Sequence, residues 1–308
     1  MRFNPKARLD TSRVRDRGRG SGGGRGGGLG GGGMPIPGGV AGGGGLVGVI
    51  VVVLFLVLTQ CMGDGGLPSG GLDDSRMSDT DRYDSCESGA DANKSADCAR
   101  VAVENSLYDF WKDELGSRFR PAQEVATFTG GVATDCGQAS SAVGPFYCPP
   151  DETIYLDTTF FDDVLERQLG GPDGGFVEPY VLAHEYGHHI QNVLGTMGRV
   201  KTQQGPRSDA VRLELQADCY AGMWTRAATT TDDATGEALF AELTDQDVEQ
   251  AIGAATAVGD DRIQERSGGD VNPEQWTHGS AEQRVAWFTT GYRQGDLDAC
   301  DTFAAGAL

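Results

Sequence analysis

Val181-Leu-Ala-His184-Glu185-Tyr-Gly-His188-His189-Ile190-Gln191 is the stretch on which the reading of this chain turns. Positions four apart on a helix share a face, so the imidazoles of His184 and His188 can reach one cation. Glu185 falls on the adjacent face, within reach of a water held by that cation, where it would act as general base. Val181, Leu182, Ala183, Ile190 and Val193 make the helix largely apolar, and buried imidazoles need partners. A surface helix with incidental histidines would lack those neighbours. The helix is expected over residues 178–194, with Pro179 in its first turn and Gly195 just past its end. His189 lies about 140° round the helix from His184 and points off the metal face, which leaves it structural or exposed.

A hydrolytic zinc centre needs a third protein ligand and an open position. The run Arg212-Leu-Glu-Leu-Gln-Ala-Asp-Cys-Tyr-Ala-Gly222 offers Glu214 and Asp218 four apart on one helical face. Glu214 is assigned as the third ligand and Asp218 as acceptor of an N–H from a ligating imidazole; spacing alone would also allow the reverse. A solvated face is the blander reading, and the interleaved Leu213, Leu215, Ala217 and Tyr220 weigh against it. One zinc per chain follows. His278, in Trp276-Thr-His-Gly-Ser280, precedes a helix. It could donate to an oxyanion formed in peptide hydrolysis, or serve only local hydrogen bonding.

Charge is unevenly distributed. Residues 1–25 hold eight Lys/Arg against Asp10 and Asp16, a balance of +6, so the rest of the chain carries −26 of the formal −20 total. An acidic globular part repels phosphates, which excludes nucleic acid as a partner of the domain. No residue from Gly26 to Gly63 is charged, and the apolar run 46–58, extended by its flanks, approaches the roughly 20 residues a bilayer needs. A cleaved signal peptide is the alternative, though no small-x-small site follows Leu58. The expected organisation is a basic disordered arm (1–25), a Gly-rich linker (26–45), a transmembrane anchor (46–62), a tether (63–80) and a domain (81–308). Positive charge staying inside would place the N-terminus in the cytoplasm and residues 64–308 outside, a single-pass protein of the cell membrane.

Setting aside Cys61 leaves Cys86, Cys98, Cys136, Cys148, Cys219 and Cys300, an even set that favours disulfides in an oxidising compartment. The simplest connectivity pairs Cys86 with Cys98 and Cys136 with Cys148 across short loops, leaving Cys219 for Cys300.

Helical spacing is expected over residues 95–115, 158–169, 208–228, 244–258 and 280–292, the last opened by Ser280 with Gln283 three residues on, a capping box. Residues 124–129 and 153–157 read as strands, and the latter could offer an edge to an extended peptide or lie inside the sheet. Residues 130–150 read as a Gly/Pro loop. The fold class is therefore α+β: a mostly helical domain with a small sheet.

Several strings together carry a resemblance: Cys136-Gly-Gln-Ala, Gly144-Pro-Phe-Tyr-Cys-Pro149, Ile154-Tyr-Leu-Asp157, Ala183-His-Glu-Tyr-Gly-His-His-Ile-Gln191, Leu213-Glu-Leu-Gln-Ala-Asp-Cys-Tyr-Ala-Gly-Met-Trp224 and His278-Gly-Ser with Gln283-Arg284. Over roughly residues 80–303 the chain resembles the neutral zinc metallopeptidase family of bacterial membrane-anchored proteins. That resemblance implies a gluzincin-like zincin domain in which the first Glu of Glu-x-x-x-Asp, here Glu214, is the third ligand. The combined expectation is a zinc endopeptidase acting on peptides or proteins outside the cytoplasmic membrane. Its rivals are a non-catalytic zinc-containing module of the envelope, whose signature would be loss of Glu185, and a disulfide-bonded structural scaffold.

Overall fold

The computed structural model describes residues 1–19, 81–140, 143–233 and 235–308. In chain order its elements are β1 (Arg2–Phe3), β2 (Val14–Arg19), α1 (Gly89–Ala92), α2 (Ala96–Leu115), β3 (Glu124–Thr129), β4 (Gly131–Thr134), β5 (Gly137–Ser140), β6 (Phe146–Cys148), β7 (Thr153–Asp157), α3 (Val177–Val193), α4 (Asp209–Ala227), β8 (Phe240–Glu242), α5 (Asp245–Ala257), α6 (Asp260–Arg266) and α7 (Ala281–Gln294). The α+β class expected from the sequence is what forms. Where a helix was expected over 158–169 there is one wide helical turn, Phe161–Glu166. The expected loop 130–150 contains the β4–β5 hairpin and β6.

The main sheet runs β2-β3-β7-β6. The first three strands are parallel, and β6 closes the edge antiparallel to β7. Thr153–Asp157 is thus an interior strand with every residue buried, and the free edge on that side belongs to β6. Parallel strands covered on both faces lose the apolar–polar alternation that exposed strands show.

Residues 1–19 are strands of the domain, which corrects the expected disordered arm. Val14 registers with Val125 and Asp16 with Thr127. The Thr127 hydroxyl donates to Asp16 at 3.0 Å, and the Arg13 guanidinium donates to Glu104 of α2 at 2.7 Å. Phe3 packs on Phe240 with ring centroids 4.7 Å apart. The Met1 ammonium meets Asp247 of α5 at 2.6 Å. Hydrophobic patterning could not reveal β2, because Val-Arg-Asp-Arg-Gly-Arg has one apolar residue; its basic side chains are matched by carboxylates from distant segments. The domain therefore comprises residues 1–19 as well as those from 81 onward. Arg82 also reaches Asp16 at 3.6 Å. One membrane crossing between residues 19 and 81 would put these partners on opposite faces, so the expected topology, N-terminus inside and domain outside, does not fit this sheet. The expected linker, anchor (46–62) and tether lie outside the described residues. Among the described residues no helix is long and apolar enough to cross a membrane.

Helix α4 is buried between α3 and α7, and glycines set both approaches. A Cβ on Gly187 of α3 would sit 3.1 Å from the Ala217 Cα, tighter than ordinary contact, so its absence lets the two backbones close. A Cβ on Gly291 of α7 would stand 1.9 Å from the Cys219 carbonyl oxygen, leaving no room for any side chain. Ser208 caps α4 by accepting from Val211 N–H at 3.2 Å, and Ser280 with Gln283 forms the expected box on α7. Disulfides join Cys86 to Cys98, Cys136 to Cys148 and Cys219 to Cys300, the last tying the C-terminal segment to α4.

Candidate metal centre

The close α3–α4 crossing brings His184, His188 and Glu214 together. One donor atom from each lies within 4.8 Å of the others, and all three are buried. The outer nitrogen of each imidazole is tied elsewhere. His184 Nδ1–H donates to Asp218 at 2.8 Å, and His188 Nδ1–H donates to the Gln191 amide oxygen at 2.8 Å. These bonds assign the tautomers and leave both Nε2 lone pairs facing Glu214, at 3.2 and 3.5 Å. Glu214 Oε1 is buried without a hydrogen-bond partner among the described residues. A buried carboxylate with Oε2 against His184 Nε2 and an orphaned Oε1 against His188 Nε2 is a poor arrangement for a closed network and a good one for a cation.

Charge points the same way. Glu185, Glu214 and Asp218 are buried near one buried guanidinium, Arg284. With neutral imidazoles the balance is −2, what a divalent cation would cancel. The residues present therefore fit zinc: two imidazoles and one carboxylate as donors, with room left for a further ligand.

A family model described as "Putative neutral zinc metallopeptidase" matches residues 1–303. The chain belongs to this family. The uncharacterized protein Rv2575 of Mycobacterium tuberculosis is 52% identical over 225 residues, covering 72% of this chain and 76% of the relative. The uncharacterized protein YpfJ of Escherichia coli K12 is 39% identical over 203 residues, covering 63% and 67%. No solved structure matches the chain.

In this member of the zinc metallopeptidase family, the surroundings of the three donors are also visible. Asp218 accepts from His184, from the Tyr180 hydroxyl at 2.6 Å and from Arg284 through two bonds of 2.8 and 2.9 Å. Burial alone would raise its pKa, but Arg284 and His184 hold the carboxyl well below the usual range. Burial disfavours a charged His184, yet the Asp218 carboxylate outweighs it and raises the imidazole's pKa, so a metal bound at Nε2 would displace a proton from that nitrogen. Glu185 is buried in the same pocket, and burial raises its pKa against the pull of His188 and His184.

His278 lines that pocket too. Its loop is held by Asp260 at the start of α6, whose Oδ2 accepts from the backbone N–H groups of Thr277, His278 and Gly279 at 2.7, 2.7 and 3.0 Å. His189 is fully buried, between the Tyr147 hydroxyl and the Arg120 carbonyl, away from the cluster.

Sequence reasoning did not assign roles to Gln191, Tyr180, Arg284 and Asp260. Gln191 was findable: it stands three residues after His188 on the same helix, the spacing of helical neighbours. Tyr180 likewise precedes His184 by four. Arg284 and Asp260 come from α7 and α6, and no local spacing links them to the metal face.

Proposed function

We propose that this chain is a zinc-dependent endopeptidase in which His184, His188 and Glu214 hold the metal and Glu185 is the general base. The observation carrying this reading is the buried Glu214 carboxylate, each oxygen set against one imidazole Nε2, in one cavity with Glu185. Zinc, when bound, would supply Lewis acidity at a carbonyl and make water acidic near neutral pH. Glu185 would accept the water's proton at its carboxylate and return it to the leaving amine. Asp218 would orient His184, and Arg284 would in turn hold Asp218 ionised. His278 would donate to the oxyanion, with Asp260 fixing its loop. Three disulfides support a domain outside the cytoplasm. Attachment through the apolar segment 46–62 would then have to leave residues 1–19 and the domain on the same side of the membrane.

The test is zinc content and hydrolysis of a peptide mixture by purified variants. Glu185→Gln is expected to keep one zinc per chain and lose nearly all turnover. Glu214→Ala is expected to lose the zinc as well. His278→Ala should retain zinc and fall by roughly 10²–10³ in rate. Undiminished turnover in Glu185→Gln would refute the mechanism.

A further inference from the structure

The cavity that holds Glu185 and His278 extends well beyond the donor cluster. It measures about 370 Å³, the size range of pockets that take small molecules or peptide side chains. Among the described residues, its charged and imidazole side chains are those of the donor cluster, Glu185, His278 and Arg284; the rest of the lining carries none. Its walls come from separate parts of the fold: Val143 and Phe146 beside and on the edge strand β6, Phe160 after β7, Met197 beyond α3, and Val258 and Ile263 around α6. The remaining polar side chains are already engaged. Tyr147 accepts from the Asn192 amide at 2.9 Å, and the Tyr180 hydroxyl donates to Asp218. Arg284 gives its bonds to Asp218 and to the Val258 carbonyl.

Away from that cluster a carboxylate or ammonium would lose its hydration and find no charged partner among the described residues, whereas an apolar side chain would shed water favourably. We infer that the cavity selects peptides carrying a bulky apolar side chain (Leu, Ile, Met or Phe) next to the bond to be cleaved. It excludes Asp, Glu, Lys and Arg at that position. The inference rests on the peptidase reading above for its cleavage form, but the binding preference stands on the cavity alone. Full burial of a Leu or Phe side chain corresponds to roughly 10–100-fold over Ala.

The test uses the full chain and a set of quenched-fluorescent peptides identical except for one residue: Leu, Phe, Ala, Asp or Lys. With zinc present, kcat/KM is expected to be about 10–100-fold higher for Leu and Phe than for Ala, and lowest for Asp and Lys. The Leu, Phe, Ala and Asp peptides are titrated into metal-free protein, where the affinity order among them should be the same. If nothing is cleaved but the binding order holds, the peptidase reading fails and the pocket assignment stands. Cleavage and binding indifferent to the varied residue, or favouring Asp or Lys, overturn the pocket assignment and leave the peptidase reading intact. Met197 is partly buried in the wall, so Met197→Asp should erode the Leu/Phe preference and improve Lys peptides. Met197→Trp, which adds bulk without charge, should shift preference towards Ala while zinc content stays unchanged. If both variants fold and keep the original order, the assignment is wrong.

Discussion

Glu104 on α2 and Glu214 on α4 are both 2% exposed, and both meet basic side chains from other elements, yet they are built to opposite ends. Glu104 is closed: Arg13 donates to both its oxygens, at 2.7 and 3.3 Å, and the Asn105 amide adds a bond of 2.7 Å. Arg13 is further engaged by Asp10 at 2.9 Å and lies 4.1 Å over the Tyr108 ring. Glu214 is open, with one oxygen lacking a hydrogen-bond partner among the described residues and two imidazoles whose outer nitrogens are pinned away from it. Burial raises the Glu104 pKa despite Arg13, so even a complete network recovers only part of the desolvation cost. A protein has reason to retain such a network where it joins distant pieces, here the N-terminal strands and α2. The open cluster joins α3 to α4, but the crossing itself is made by Gly187 and apolar packing. Its charges are therefore available for a ligand.

The largest effect expected from this contrast comes from deleting residues 1–19. That removes β2 from the sheet, Phe3 and Val14 from the core and the partner of Glu104, so soluble folded protein should not be recovered. Single-cysteine replacements at exposed Lys6 and at Glu282 should also label from the same side of the membrane. Labelling from opposite sides would mean that β2 is absent from the sheet in the cell.

Arg13→Ala probes the closed cluster by itself. A buried carboxylate without its cation typically costs about 3–5 kcal/mol, read as a loss in urea midpoint, while zinc per folded chain should not change. Adding Glu104→Gln should restore much of the stability. If Arg13→Ala empties the zinc site in folded protein, the two clusters are not independent.

Asp218→Asn probes the open cluster at one remove. It keeps an oxygen for the His184 N–H but loses the charge that Arg284 and His184 share, so zinc affinity should fall by roughly 10–100-fold. Loss as complete as in Glu214→Ala would reverse the roles given to the two carboxylates.

The smallest effect concerns Asp109, half-buried and, among the described residues, without an ion pair like that of Arg13 with Glu104. Burial first, and then Asp233, raise its pKa to about 6. Its folded value lies above the unfolded one of about 4. The penalty is therefore absent below about pH 4, grows towards pH 6 and is full above it. Asp109→Asn should raise stability at pH 7 by about 1 kcal/mol, allowing for solvent screening, and change little at pH 4. Equal gains at both pH values would contradict the assignment.

Sequence alone determined what depends on local periodicity. The boundaries of α2, β3, β7, α3, α4 and α7 were legible because caps, glycine stops and apolar spacing act within a few residues. The pairing of His184 with His188, and of Glu214 with Asp218, followed from one turn of helix. Tertiary structure decided whatever depends on which helices meet. Only the Gly187 approach to Ala217 turns Glu214 towards both imidazoles and Asp218 towards His184 alone. Only the folding of α7 onto α4 delivers Arg284. The same holds for β2: a strand of alternating charge carries no hydrophobic signal, and it joins the sheet because Glu124 and Thr127 wait for it about a hundred residues away in sequence. Charge complementarity between distant segments has no period, so only the assembled fold shows it.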